Sequence, residues 1–150
     1  MNIEETIKCN FDKVREEIAL AATNAGRRAE DVKLCAVSKF HPLESVLAAV
    51  KSKQFLFGEN RVQEAWEKFT NPALANTNVD LHIIGTLQSN KVKKAVQIAS
   101  CIQSVDRESI LEEIEKQSSK INKNIKVFFE VHTGEDSKSG YTSEADLFLS

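Results

Sequence analysis

Two kinds of hydrophobic pattern alternate along the chain. Short continuous apolar runs are typical of buried β-strands, and stretches with apolar residues three and four positions apart are typical of amphipathic helices. The first helical stretch begins at Ile3, behind a capping box of Asn2 and Glu5, and Gly26 is expected to end it. The strand-like runs are VKLCAVSK (32–39), FLFG (55–58), LHIIG (81–85), CIQSV (101–105) and KVFFEV (126–131).

A helical stretch follows each strand-like run. Pro42 can occupy the first turn of the helix after the first run. We expect Ser89 to cap the helix after the third run and Asp106 to cap the helix after the fourth. Strands that alternate with helices indicate a parallel α/β fold, and apolar runs without polar alternation indicate a sheet covered by helices.

Two α/β architectures fit this alternation, a doubly wound open sheet and a (β/α)8 barrel of the TIM type. A GxGxxG motif after the first strand would favour a dinucleotide-binding open sheet, and the sequence lacks one. About five βα units are present where a barrel has eight, and the final SEADLFLS has the pattern of a helix that has just begun. We therefore expect residues 1–150 to be one domain, the N-terminal portion of its fold with the last strands missing. The pattern alone leaves the two architectures open.

The composition is that of a globular protein, with 41% hydrophobic and 28% charged residues in a chain of 150. A net charge of -2 gives no electrostatic reason to expect a nucleic acid or a membrane as partner. The sequence has no apolar stretch of signal-peptide type and no run of 18 apolar residues, so we expect a cytoplasmic protein. Cys9, Cys35 and Cys101 form no CxxC pair, which predicts reduced, buried thiols and no metal site.

Polar residues follow every predicted strand, at the edge where parallel α/β proteins collect their chemistry. Lys39 has the clearest chemistry, because partial burial favours the neutral amine that can bond to an aldehyde. Its alternative role is that of a lysine reaching water from a strand end. Asn60 follows the second strand and has capping of the next helix as its alternative role. The third strand leads into GTLQSNK (85–91), where Gly85 could simply let strand and helix pack closely.

The motifs AVSK, FGENRVQE, HIIGTLQSNK, IQSVDR and SKSGY occur in this order along the chain. Together they closely resemble the pyridoxal 5'-phosphate homeostasis proteins, the YggS/PROSC family, which is related to the N-terminal domain of alanine racemases. The resemblance covers about the whole chain. It implies a (β/α)8-type barrel, with pyridoxal 5'-phosphate bound as an internal aldimine, a Schiff base, to the lysine of AVSK, here Lys39.

The resemblance also implies further residues of the cofactor site. Asn60 is expected near the cofactor ring, and the segment from Gly85 to Asn90, including Thr86 and Ser89, is expected to form part of the pocket rim. Relatives commonly have histidine at the position of Thr86, so any role of that imidazole is lost or altered in this chain. The family's contacts to the phosphate and the pyridine nitrogen come from strands beyond residue 150.

Three functions follow from these observations as alternatives. The first is a non-catalytic, monomeric protein that binds pyridoxal 5'-phosphate for vitamin B6 homeostasis, with pyridoxal-phosphate-dependent apo-enzymes as recipients. The second is an amino-acid racemase, which needs a base on each face of the substrate carbon. The only tyrosine is Tyr141, and the catalytic tyrosine of racemase relatives comes from a second domain that this family lacks. The third is a partial barrel that binds no cofactor by itself.

Overall fold

Five parallel strands form one sheet in the computed structural model, which describes residues 2–134 and 139–148. The strands are β1 (Ala36–Val37), β2 (Leu56–Glu59), β3 (Asp80–Ile83), β4 (Cys101–Val105) and β5 (Lys126–Phe129). The α-helices are α1 (Ile3–Asn24), α2 (Leu43–Lys51), α3 (Val62–Phe69), α4 (Ser89–Ile98), α5 (Glu108–Lys120) and α6 (Glu144–Phe148). None of the helices in these two ranges is long and apolar enough to cross a membrane.

The order of the strands separates the two predicted architectures. A doubly wound sheet reverses the direction of strand addition near its middle, so that its helices cover both faces. Here each strand pairs with the next one in sequence, from β1 to β5. Right-handed crossovers in a single direction place the connecting helices on the same face. The prediction of a TIM-barrel-type fold is therefore confirmed, with five of its strands present in the described residues.

One face of the sheet packs against the helices. Its register partners are apolar, with Phe57 beside Leu81 and Ile83 beside Ile102. They belong to one buried cluster with residues of α2 to α5, among them Val46, Ala65, Val92 and Ile110. Burial of such side chains contributes roughly 1.5–3 kcal/mol each and fixes the helices on this face. The side chains that alternate with these strand residues point to the opposite face, which we call the inner face.

The capping box predicted at the start of α1 is confirmed. The Asn2 side-chain oxygen accepts a hydrogen bond from the Glu5 N–H at 2.9 Å, and the Asn2 N–H donates to a Glu5 carboxylate oxygen at 2.9 Å. The helix ends at Asn24, and Gly26 follows with a φ of 68°. That left-handed conformation is the one that glycine commonly adopts just past a helix C-terminus.

Three details of the predicted elements are wrong. The strand expected over residues 32–39 pairs only over the two residues of β1. Gln88 and Arg107 are the N-cap residues of α4 and α5, in place of Ser89 and Asp106. Asp106 does not cap its helix, and its carboxylate instead accepts a hydrogen bond from the neighbouring Arg107 guanidinium at 2.6 Å.

The three cysteines are free thiols, but only Cys101 is buried, whereas Cys9 and Cys35 are partly exposed. The prediction of buried thiols is therefore right for one cysteine and wrong for two. Burial is the main cause that raises the pKa of both Cys35 and Cys101. These two thiols stay protonated at neutral pH and are weak nucleophiles.

Candidate functional site

Lys39 lies just past the end of β1 and is exposed. It has no hydrogen-bond or ion-pair partner among the residues that the structure describes, so nothing there competes for its amine. The expectation of partial burial is wrong, because Lys39 is exposed. The preceding residue, Ser38, is buried, and its N–H continues the strand ladder by donating to the Gly58 carbonyl at 3.1 Å.

A buried ion pair on the helix-covered face holds Ser38. The Lys68 ammonium of α3 lies 2.7 Å from a carboxylate oxygen of Glu59, and the two side chains are 7% and 0% exposed. The same ammonium donates to the Ser38 carbonyl at 2.7 Å, and the Ser38 hydroxyl donates to the same Glu59 oxygen at 2.7 Å. Ser38 is therefore fixed through its N–H, its carbonyl and its hydroxyl.

Phe40, on the other side of Lys39, has a φ of 64°. A left-handed backbone costs a residue other than glycine roughly 1–2 kcal/mol. The Phe40 N–H donates to a carboxylate oxygen of Glu64 at 2.7 Å, and the same oxygen accepts from Lys68 at 3.2 Å. The Arg61 guanidinium lies 5.9 Å from the centre of the Phe40 ring. Lys68 therefore holds the strand before Lys39 directly and the turn after Lys39 through Glu64.

The Glu64 carboxyl is held in its ionised form. Burial acts to raise its pKa, but the hydrogen bonds from the Phe40 N–H and from Lys68 outweigh burial, so the pKa lies below its ordinary value. A depressed carboxyl pKa contributes stability that is fully present above the unfolded-state pKa. That contribution is lost as the pH falls through the lower folded-state pKa, so at neutral pH the link to Phe40 is complete.

Strand alternation places Lys39 and Asn60 on the inner face. Val37 and Gly58 are register partners, and Glu59 points towards α3, where its ion pair lies. Because successive side chains of a strand point to opposite faces, Gly58 and Asn60 point away from Glu59. Val37 lies on the same face as Gly58, and Lys39 comes two residues later, in the turn after β1. From the continued alternation we infer that Lys39 and Asn60 share the inner face at the C-terminal edge of the sheet.

The loops after β2 and β3 touch at Asn60 and Gly85. A Cβ on Gly85 would lie 2.5 Å from the Asn60 carbonyl oxygen and 2.8 Å from its Cα. Close packing at Gly85 is therefore found, but between two loops and not between strand and helix. The Asn60 side-chain oxygen is buried and has no hydrogen-bond partner among the described residues. Asn60 does not cap α3, whose N-cap is Arg61, so Asn60 keeps an open hydrogen-bonding position.

Gly85→Ala is expected to lower the free energy of unfolding by roughly 1–3 kcal/mol, because the new methyl group would overlap backbone atoms of Asn60. Denaturant unfolding measures the change. Gly58→Ala is the matched control, since its methyl would meet only side-chain atoms of Cys35 and Ile84, at 3.1 Å. Equal stability of the two variants would contradict the close approach of the loops.

A cavity of about 420 Å³ opens beside these loops. Asn60 and Thr86 line it, together with two cationic residues, Arg61 and Lys91, which suit an anionic ligand. The remaining lining residues are Val62, Gln63, Leu87 and Gln88.

The predicted site residues are only partly brought together. Asn60 and Gly85 are in contact, and Thr86 lies on the same cavity as Asn60. Ser89 and Asn90 are exposed in the first turn of α4 and are not among the residues lining this cavity, and neither is Lys39. In the SKSGY motif (137–141), residues 137 and 138 lie outside the described residues.

The family described as "Alanine racemase, N-terminal domain" matches residues 9–148. The chain belongs to this family. As an alanine racemase N-terminal domain protein, it is 38% identical over 136 residues to a protein of Pasteurella multocida (strain Pm70) named "Pyridoxal phosphate homeostasis protein". That match covers 90% of this chain and 58% of the relative, so the chain spans less than two thirds of the relative's length.

Solved structures of the same fold are similar to this alanine racemase N-terminal domain protein. A crystal structure of an unknown protein from Bifidobacterium adolescentis matches with a TM-score of 0.80 and 30% identity, over 92% of this chain and 60% of that one. PipY of Synechococcus elongatus PCC7942, solved with PLP (pyridoxal 5'-phosphate) bound, matches with a TM-score of 0.72 and 32% identity. The match to PipY covers 88% of this chain and 61% of PipY.

The sequence analysis missed the buried pair and its link to Glu64. Glu59 is a charged residue at the end of an apolar run, where a buried charge requires a partner. Glu64 and Lys68 lie four residues apart, in the order that favours an ion pair along a helix. These two features were visible in the sequence, but the sequence does not show which cation meets Glu59.

Proposed function

We propose that this protein binds pyridoxal 5'-phosphate as a non-catalytic protein of vitamin B6 homeostasis, with Lys39 as the amine that bonds to the cofactor. The observation that carries the proposal is the position of Lys39. It is an unpartnered lysine on the inner face of a parallel sheet, between two residues whose backbone is fixed. The name of the Pasteurella relative and the PLP bound to PipY support the choice of ligand. When bound, the cofactor supplies an aldehyde carbon that a neutral amine can attack.

The other residues present fit such a ligand. Asn60 has a buried side-chain oxygen without a partner among the described residues, and we propose that this unsatisfied acceptor takes a hydrogen bond from the ligand. Gly85 and Thr86 lie beside Asn60, and we propose them as part of the rim. Ser89 and Asn90 do not line the cavity, but both are exposed in the first turn of α4, and we propose that they extend the rim. The cations that line the neighbouring cavity suit the negative charge of a phosphorylated ligand.

The environment of Tyr141 supports a non-catalytic role. Racemisation needs one acid–base group on each face of the substrate carbon. Tyr141, the only tyrosine of the chain, is 6% exposed and packs edge-on against Phe129, with ring centres 5.8 Å apart. We therefore propose that the protein holds pyridoxal 5'-phosphate in the cytoplasm as a monomer and passes it to apo-enzymes.

The test is a titration of the purified product of the full reading frame with pyridoxal 5'-phosphate, followed by absorbance, and then an assay with each alanine enantiomer. We expect saturable binding and no turnover. Turnover on the order of 1 s⁻¹ or faster, as enzymes typically show, would contradict the non-catalytic role. The absence of binding would contradict the proposal and favour a partial barrel that holds no cofactor.

A further inference from the structure

Three side chains on the helix-covered face hold the backbone on both sides of Lys39 without touching its amine. Lys68 and Glu59 bind the carbonyl and the hydroxyl of Ser38, which precedes it. Glu64 binds the N–H of Phe40, which follows it. Lys68 links the contacts at Ser38 to the contact at Phe40, because its ammonium contacts the carboxylates of both Glu59 and Glu64.

We infer that Glu64 and the Glu59–Lys68 pair are positioning residues, which fix the backbone around Lys39 so that its amine is presented on the inner face to the ligand's aldehyde. The inference rests on the proposed function. The proposed function assigns a role only to the lysine that bonds to the ligand. The inference adds a role for a second set of side chains, on the opposite face of the sheet.

The backbone around Lys39 matters because the side chain of an exposed lysine can adopt many conformations. Its four-carbon side chain has no partner among the described residues, so only the backbone restricts where the amine lies. In the covalent step the amine nitrogen bonds to the aldehyde carbon and the aldehyde oxygen leaves as water, so neither an oxidant nor a reductant is needed. An amine held close to that carbon avoids much of the entropy cost of the encounter.

Glu64 is the residue to vary, because its side chain is 26% exposed, whereas those of Glu59 and Lys68 are 0% and 7% exposed. Glu64→Ala removes the acceptor for the Phe40 N–H, whereas Glu64→Gln keeps an oxygen acceptor there. Glu67→Ala is the matched control, a glutamate of the same helix whose carboxylate binds Gln63. Each product of the full reading frame is titrated with pyridoxal 5'-phosphate, reduced with borohydride and digested, and the fraction of modified Lys39 is measured by mass spectrometry.

We expect Glu64→Ala to need about tenfold more pyridoxal 5'-phosphate for half-modification of Lys39, as loss of one hydrogen bond to a charged acceptor implies. Glu64→Gln should stay within about threefold of the wild type, and Glu67→Ala should equal it, as expected when only the acceptor oxygen matters. In cofactor-free protein, the NMR shift of the Phe40 amide should follow the Glu64 carboxylate, with a midpoint below the ordinary glutamate pKa. In Glu64→Ala that titration should disappear.

The outcomes separate the two proposals. If the wild type is not modified at Lys39 at all, the proposed function is overturned and the inference falls with it. If the wild type is modified and Glu64→Ala is modified equally well, the inference alone is overturned. Equal weakening of Glu64→Ala and Glu64→Gln would also overturn it, because a positioning role requires that the conservative variant restores the contact.

Discussion

Lys39→Ala should abolish covalent capture of pyridoxal 5'-phosphate. Among the described residues no other amine can replace it at this place, since Lys68, the lysine tied to the same turn, already donates to three oxygens. Borohydride reduction in the presence of the ligand, followed by peptide mapping, should place the added mass on the peptide containing Lys39 in the wild type. The variant should show no specific modification.

Lys39→Arg is the control for charge and length. Arginine keeps the positive charge, but it stays protonated and cannot bond to an aldehyde as lysine does. We expect Lys39→Arg to lose capture as completely as Lys39→Ala while both unfold at the same temperature as the wild type, because Lys39 is exposed. Capture at another lysine in either variant, with unchanged affinity, would refute the assignment of Lys39.

Lys68→Met should cause the largest loss of stability. It leaves the Glu59 carboxylate, which is 0% exposed, without the cation that compensates its charge. Removal of one partner from a buried ion pair typically costs about 3–5 kcal/mol, a large part of the 5–15 kcal/mol by which domains are usually stable. Denaturant unfolding of both proteins at neutral pH measures the difference.

The double variant Glu59→Gln/Lys68→Met tests the cause of that loss. Glutamine removes the buried charge and still offers an oxygen to the Ser38 hydroxyl. We expect the double variant to be roughly 0.5–3 kcal/mol more stable than the sum of the two single changes, as for residues in direct contact. Strict additivity would show that the loss in Lys68→Met comes from packing and not from the unpaired charge.

The fold was predictable because periodicity reports which side chains are buried. The apolar runs identified all five strands, and the capping box located the start of α1. The pattern left the barrel and the open sheet undecided, because both alternate apolar strands with amphipathic helices along the chain. Their difference is the spatial order of the strands, and strand order depends on packing between segments that single-segment periodicity does not describe.

The position of Lys39 and Asn60 at the C-terminal edge of the sheet was predictable, because both follow an apolar run that forms a strand. Their role at a cofactor site stays a prediction. The helix caps and the partner of Glu59 depend on contacts between different elements. Ser89 and Asp106 have the right residue types for caps, yet α4 begins at Ser89 itself and α5 begins at Glu108, two residues after Asp106. Lys68 lies in the last turn of α3, nine residues from its partner Glu59, and only the folded chain shows that they meet.

The strand order has a consequence for how the chain folds. Register partners lie between 19 residues apart, as for Ile83 and Ile102, and 25 residues apart, as for Cys101 and Lys126. Every strand therefore finds its partner within one βα unit, and the entropy of loop closure is nearly the same at each addition. Within residues 2–134 and 139–148 no strand has to wait for a distant segment, so this part of the sheet can grow from β1 in the direction in which a ribosome delivers it.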